Sequence, residues 1–154
     1  MWRTLSVGAF TFFVVLGVFL FVSGKNSAVP EKSLSHNDIA TITIGSTPLS
    51  VTLANTFEKR AKGLSGQKEL PVDEGMLFAF PEDGIYGFWM KDMLFSLDII
   101  WISAHGTVVY IEKSVAPSTY PTTFTPTVPA RYVLEVPAGF SEEHNIFVGS
   151  KVRF

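Results

Sequence analysis

The chain of 154 residues contains no cysteine and only three histidines. Without cysteine it can form neither a disulfide framework nor a thiolate site, so an apolar core must hold the fold together. The histidines, His36, His105 and His144, share no ligand spacing, which argues against a zinc site built on them. The chain also lacks a phosphate-binding glycine loop and a nucleophile elbow, and we expect no metal or other cofactor.

Basic residues are not in excess either. The formal net charge is −2, and beyond Arg3 the chain carries 11 basic against 14 acidic residues. A surface of this sign repels a phosphate backbone, so the composition argues against nucleic acid as a partner.

Charge is absent altogether from residues 4–24, in which leucine, valine and phenylalanine predominate. As a helix these 21 residues would span about 31 Å, enough for the hydrocarbon core of a bilayer. We interpret residues 1–24 as a single-pass anchor in the cell membrane, with the rest of the chain outside the cytoplasm. The alternative is a signal peptide that is cleaved before secretion. A buried core helix is disfavoured because no polar face interrupts the run.

The remainder divides into a polar tether, residues 25–38, and a domain, residues 39–154. Short runs with alternating apolar side chains, separated by glycine and proline turns, predict a mainly β domain of the α+β kind with little helix. We expect a small antiparallel barrel or curled sheet, with consecutive segments paired as a meander. Residues 114–129 contain four prolines, five threonines and no charge, which predicts an irregular excursion.

Several boundaries follow from local signals. Ile39 to Ile44 and Leu49 to Leu53 predict a hairpin, and Leu94 to Ile102 predicts a strand that pairs with Thr107 to Glu112. Pro81 to Gly84 predicts a turn, followed by a strand from Tyr86 to Met90. A short helix is expected after a capping box in which Asn55 is the N-cap, and Gly63 is expected to end it. Pro137 to His144 predicts a short turn or helix.

The stretch from Gly75 to Ile102 combines aromatic residues with charge. Seven aromatic rings lie between Phe78 and Trp101, yet Lys91, Asp92 and Asp98 lie among them. Charges in such a segment need partners, solvent or a ligand. The segment is therefore the place at which we look for a site.

Two carboxylates, Asp98 and Glu135, lie mid-strand between apolar neighbours. If their strands were adjacent and both faced one pocket, the two groups could share a proton. The alternative is structural: each would accept hydrogen bonds from backbone amides or pair with Arg60, Lys91 or Arg131 to fix strand register.

A set of ordered motifs resembles the domain of unknown function 192 family over about residues 49–154. The motifs are Ala54-x-Thr56, Arg60, Gly63-Leu64, Gly75-Met76-Leu77-Phe78-x-Phe80, Phe88-Trp89-Met90-Lys91, Leu97-Asp98-Ile99, Gly106, Tyr132-Val133-Leu134-Glu135, Gly139 and Gly149. The resemblance implies a compact, mostly β domain that is exported or membrane-tethered in prokaryotes, and it implies no settled activity. Asp92-Met93 stands where the family usually has Asn-Thr, and Ser65, Ser103 and Ser150 replace an expected Met, Asp and Asp.

Aromatic and charged groups in one motif favour a binding module over an enzyme. We expect it to contact a small polar ligand, an envelope polymer or a partner protein, besides the bilayer that holds its anchor. A structural or assembly module of the cell envelope is the first alternative, and a hydrolase that uses Asp98 or Glu135 as general acid or base is the second. The candidate ligand-binding residues are Arg60, Trp89, Lys91, Asp92, Asp98, Tyr132 and Glu135.

Overall fold

The computed structural model describes residues 39–154, so the predicted anchor 1–24 and tether 25–38 lie outside the described part of the chain. Among residues 39–154 there is no helix of the length and hydropathy that a membrane crossing needs. The anchor, and with it a location outside the cytoplasm, stays a prediction.

The described residues form seven β-strands and two short α-helices. The strands are β1 (Ile39–Ile44), β2 (Thr47–Ala54), β3 (Glu74–Gly84), β4 (Leu97–Ile102), β5 (Val108–Val115), β6 (Ala130–Pro137) and β7 (Val152–Arg153). The helices are α1 (Phe57–Lys62) and α2 (Phe140–Glu143), and a 3-10 turn covers Pro117–Thr119. The mainly β class is confirmed, and α2 lies within Pro137 to His144, where the sequence predicts a short turn or helix.

All seven strands belong to one sheet, in the order β5-β4-β6-β3-β2-β1-β7. The predicted hairpins β1–β2 and β4–β5 are present. The predicted meander is wrong, because β6 lies between β3 and β4 and pairs antiparallel with both. A wholly antiparallel sheet is also wrong: α1 and the loop after it return the chain before β3 begins, so β2 and β3 run parallel.

The sheet curls into a half-barrel, and backbone hydrogen bonds join the strands at the two ends of its order. Val108 of β5 donates its N–H to the carbonyl of Ser150 at 2.9 Å, and Val152 of β7 donates to the carbonyl of Gly106 at 2.8 Å. The start of β5 therefore lies beside the end of the chain.

Strand alternation places one apolar cluster on each face of the sheet. Leu77 of β3 and Ile100 of β4 belong to the first cluster, whereas Phe78 and Trp101 belong to the second. Within each strand, the sequence alternation predicts the separation of Leu77 from Phe78 and of Ile100 from Trp101. Complete burial of side chains of this kind stabilises the fold by about 1.5–3 kcal/mol each.

Helix α1 begins one residue later than predicted. Thr56, not Asn55, is the N-cap: its Oγ1 accepts the backbone N–H of Lys59 at 3.2 Å. Gly63 ends the helix as predicted, with a positive φ of 51° that a residue without a Cβ adopts at little cost.

The segment after β3 departs most from the prediction. Strand β3 continues to Gly84 through the predicted turn, and residues 86–90 contribute only an isolated bridge between Phe88 and Phe124. Residues 114–129 are irregular as predicted, apart from the 3-10 turn at Pro117–Thr119.

Candidate functional site

A cavity of about 490 Å³ opens between α1, β3 and residues 86–93. Aromatic side chains dominate its wall, and we call it the aromatic cavity. The rings are those of Phe57, Phe78, Phe80, Tyr86, Phe88 and Trp89. Its volume lies within the range of about 300–1,000 Å³ typical of small-ligand sites.

Ring contacts hold the wall in place. Phe88 meets Phe78 edge to face with 4.9 Å between ring centroids, and it meets Trp101 in the same way at 5.9 Å. Phe80 and Tyr86 are stacked with centroids 3.5 Å apart. Aromatic pairs of this kind contribute about 0.5–1.5 kcal/mol beyond the area that they bury.

Hydrogen bonds to their backbone fix residues 86–93, although these residues form no strand. Phe88 and Phe124 exchange two backbone bonds of 2.9 and 2.8 Å, and Trp101 Nε1 donates to the carbonyl of Tyr86 at 2.8 Å. Gly66 donates its N–H to the carbonyl of Asp92 at 2.9 Å. Because these bonds come from three different parts of the chain, the cavity wall is formed before any ligand arrives.

Arg60 connects α1 to β3 at the cavity. Its Nη1 donates to the carbonyls of Asn55 and Ala79 at 2.8 and 2.9 Å, and its guanidinium lies over the ring of Phe80, 5.1 Å from the centroid. Lys62, one half-turn further along α1, also lines the cavity. The helix therefore contributes two cationic side chains to the aromatic wall.

Glu135 of β6 is the acidic group of the cavity. Its side chain is 5% exposed, and among residues 39–154 its Oε2 has no hydrogen-bond partner. Removal from water raises the pKa of this carboxyl from 4.5 to about 8, because burial disfavours the charged form. Its strand neighbours, Met76 of β3 and Ile99 of β4, offer no compensating charge. At neutral pH the group is mostly an uncharged carboxylic acid, which can donate one hydrogen bond.

Asp98 lies on the opposite face of the sheet, so the two carboxylates do not face one pocket, as a shared proton would require. In the register of β4 and β6, Asp98 stands opposite Val136 and Glu135 stands opposite Ile99, and successive residues point to opposite faces. Asp98 Oδ1 accepts the N–H groups of Ser114 and Gly139 at 2.8 and 3.2 Å, and Oδ2 accepts that of Ser141 at 2.8 Å. The structural alternative, hydrogen bonds from backbone amides, is confirmed for Asp98. A hydrolase that uses this pair together has no shared cleft.

Of the other predicted ligand-binding residues, some lie at the aromatic cavity and others lie away from it. Trp89 lies at the cavity, is 53% exposed, and meets Tyr120 edge to face at 5.8 Å. Lys91 and Asp92 occupy an exposed turn beside the cavity but do not line it. Tyr132 packs against Phe154 and the first apolar cluster, away from the cavity. The structure thus brings together Arg60, Trp89 and Glu135 from the predicted set.

Sequence reasoning missed Lys62 and most of the rings. Phe57 could have been found, because it is the one large apolar residue in a helix that is otherwise mostly charged. In the structure it is 76% exposed. Residues 39–154 contain no group of three or more His, Asp or Glu side chains that could hold a metal ion.

The fold and the cavity define a small β half-barrel domain with a buried carboxyl in an aromatic wall. The chain belongs to the DUF192 family, described as an uncharacterised ACR, whose sequence profile matches residues 40–154. The family that the ordered motifs indicate is thereby confirmed. No curated protein matches the chain.

Two similar crystal structures carry the same fold. One is a protein of unknown function from Novosphingobium aromaticivorans DSM 12444, 28% identical, with a TM-score of 0.73; the match covers 79% of this chain and 89% of that one. The other is a candidate transcription regulator from Sinorhizobium meliloti 1021, 27% identical, with a TM-score of 0.70; the match covers 77% of this chain and 97% of that one.

Proposed function

We propose that residues 39–154 form a ligand-binding domain whose ligand is a small organic molecule held in the aromatic cavity. The observation that carries the proposal is Glu135, a buried carboxyl whose Oε2 has no partner among the described residues and which lines an open cavity. An unsatisfied buried polar group costs about 1–3 kcal/mol. A fold that keeps such a group beside a preformed cavity has a use for it there.

The wall chemistry supports binding of an amphipathic molecule. The rings supply apolar surface with low conformational freedom, while Arg60, Lys62 and Glu135 supply polar contacts that would fix its orientation. If the predicted anchor forms, the domain meets this ligand at the outer surface of the cell membrane.

A direct contact with nucleic acid is not part of the proposal. Residues 39–154 carry nine basic and twelve acidic side chains, the opposite of what a phosphate backbone attracts. The description of the Sinorhizobium meliloti protein as a candidate transcription regulator is therefore not extended to this chain.

The test is a fragment screen on the full chain in phosphatidylcholine nanodiscs. The four methionine methyl groups serve as NMR probes, because Met93 lines the aromatic cavity whereas Met76 lines a second, smaller cavity. The library contains each apolar group as three compounds: a carboxylic acid, its amide and the corresponding amine. We expect some fragments to shift the Met93 methyl signal in a saturable manner.

A pair of variants locates the binding. Ala61 is an exposed residue of α1 that lines the cavity, so Ala61→Trp should fill its entrance and abolish the shifts. Ala104→Trp, at an exposed position in the β4–β5 turn, is the matched control and should bind as the wild type does. If no fragment moves the Met93 signal, or if hits bind Ala61→Trp undiminished, the proposed function is wrong.

A further inference from the structure

The charged side chains that line the aromatic cavity at neutral pH are mainly basic. Arg60 and Lys62 of α1 line it, and the acidic side chain among its lining residues is Glu135. Burial holds the pKa of Glu135 at about 8, so at neutral pH this carboxyl does not balance the two cations. The cavity at pH 7 therefore presents positive charge to a ligand.

Arg60 has hydrogen-bonding capacity left for a ligand. A guanidinium carries five N–H donors, of which two are on Nη1, and both are directed to the backbone carbonyls of Asn55 and Ala79. The donors of Nε and Nη2 form an edge whose spacing matches the two oxygens of a carboxylate. Because the Nη1 bonds and the ring of Phe80 hold the group in place, little side-chain freedom is lost when this edge is used.

Glu135 complements such a ligand as a donor. A neutral carboxylic acid offers an O–H to an oxygen of the ligand without adding negative charge to the cavity. An amine would instead meet Arg60 and Lys62 with its own positive charge. A neutral amide would leave the Nε–Nη2 edge without an ionised partner.

We propose that the ligand is a small organic acid whose carboxylate binds Arg60 and Lys62, whose apolar body lies among the rings, and which accepts a hydrogen bond from Glu135. This inference rests on the proposed function and narrows it to one chemical class. It concerns free organic acids and excludes amines and neutral molecules.

The matched library tests the class directly. Each set of three compounds shares one apolar group, as phenylacetate, phenylacetamide and phenethylamine do. Within each set that binds, we expect the acid to bind roughly tenfold more tightly than the amide, and the amine more weakly still. Affinities are measured from the Met93 methyl shift in the full chain in phosphatidylcholine nanodiscs, at pH 7.

Variants of α1 provide the control. Arg60→Gln should reduce the preference for acid over amide to the part that Lys62 supplies, and Arg60→Lys should keep more of it. Lys59→Gln changes the charge of the same helix by the same amount, but Lys59 lines the smaller cavity and not the aromatic one, so the preference should remain. If Arg60→Gln does not fold, Arg60→Lys with Lys59→Gln decides the question.

The pH dependence gives a second readout. Acid binding should weaken above pH 8, when Glu135 loses the proton that it donates, and Glu135→Gln, which keeps an N–H donor, should remove this weakening. The charged and titratable groups that line the cavity with Glu135 are Arg60 and Lys62 of α1 and Tyr86, whereas its neighbours on β3 and β4 are uncharged.

The outcomes separate the two proposals. If amides or amines bind the cavity as tightly as their acids, or if the acid preference of Arg60→Gln equals that of the wild type, the inferred ligand class is wrong while the binding function stands. If no member of any set binds, both are wrong. Tighter binding of the acids, reduced in Arg60→Gln and unchanged in Lys59→Gln, supports both.

Discussion

Asp98 and Glu135 lie on adjacent strands of the same sheet, are both buried, and have opposite surroundings. Asp98 is 0% exposed and accepts three backbone N–H groups, which tie β5 and the start of α2 to β4. Glu135 is 5% exposed, and its Oε2 has no partner in the described part of the chain. Removing a satisfied carboxylate damages a fold, whereas removing an unsatisfied one can relieve it. The difference assigns Asp98 to structure and Glu135 to the cavity.

The largest effect that we expect is the pH dependence of stability due to Glu135. Its folded pKa of about 8 lies above the ordinary value of 4.5, so the folded state binds this proton more tightly than the unfolded state does. The stabilisation is therefore fully present below pH 4.5 and is lost as pH rises to 8, by at most about 5 kcal/mol. Urea denaturation between pH 4.5 and 9 measures it.

Glu135→Gln isolates this contribution, because glutamine has nearly the same shape and does not ionise. We expect the free energy of unfolding of the variant to exceed that of the wild type increasingly as pH rises through the same window. A difference between the two proteins that does not change with pH would contradict the assignment of Glu135 as a buried neutral acid.

The second largest effect concerns Asp98. Asp98→Ala removes three hydrogen bonds to a charged acceptor and leaves the amides of Ser114, Gly139 and Ser141 without it, so we expect a loss of about 4 kcal/mol at pH 7. Asp73→Ala is the control, because the side chain of Asp73 is exposed in a turn. Chemical denaturation measures both variants. A loss below about 1 kcal/mol for Asp98→Ala would show that these bonds do not hold the fold.

Within one strand, alternation made the faces predictable. The sequence groups Asp98 with Ile100 and Ile102, and Glu135 with Val133, and the two apolar clusters confirm both groupings. Alternation has a fixed period of two, so it needs no information beyond the strand itself.

Which residues of different strands share a face depends on strand register and strand order, and neither can be read from a short stretch of sequence. Asp98 and Glu135 are separated because β4 and β6 pair Asp98 with Val136 and not with Glu135. A shift of one residue would have put both carboxylates on one face. The place of β6 between β3 and β4 depends on contacts between distant segments, which hydrophobic pattern and turn signals do not encode.

The site was partly predictable for the same reason. Glu135 stood out as a charge with apolar neighbours, Arg60 as a possible partner of the two carboxylates, and Trp89 in the aromatic motif. Tyr132 stood in the same motif as Glu135, three residues before it, and that odd spacing alone places the two on opposite faces of β6. Lys62 has no local signal, since a lysine at the end of a helix is common on any solvated surface.

A smaller effect distinguishes the two aromatic candidates, Trp89 and Tyr132. Trp89→Ala removes a half-exposed ring from the wall of the cavity. We therefore expect the affinity for the ligand to fall roughly tenfold and the stability to fall by about 1 kcal/mol. Tyr132→Ala removes contacts with Phe154 on the opposite face, so we expect a loss of about 1–2 kcal/mol of stability and no change in affinity. Denaturation together with the Met93 methyl titration measures both. If Tyr132→Ala weakens binding while Trp89→Ala leaves the affinity unchanged, the binding site lies on the face of the sheet that carries Tyr132.

The smallest effect is expected at Lys91, the charge at the centre of the sequence-based site. Its carbonyl accepts the hydroxyl of Ser65 at 3.0 Å, a bond that any residue at this position can make, while its side chain is exposed and does not line the cavity. Lys91→Ala should therefore change stability by less than about 0.5 kcal/mol and leave acid affinity within roughly twofold, below 1 kcal/mol. Lys62→Ala is the matched control: it removes a cation that does line the cavity, and acid affinity should fall while amide affinity stays the same. If Lys91→Ala weakens acid binding as much as Lys62→Ala does, the exposed turn contacts the ligand. The comparison of the two carboxylates would then have assigned too few residues to the binding site.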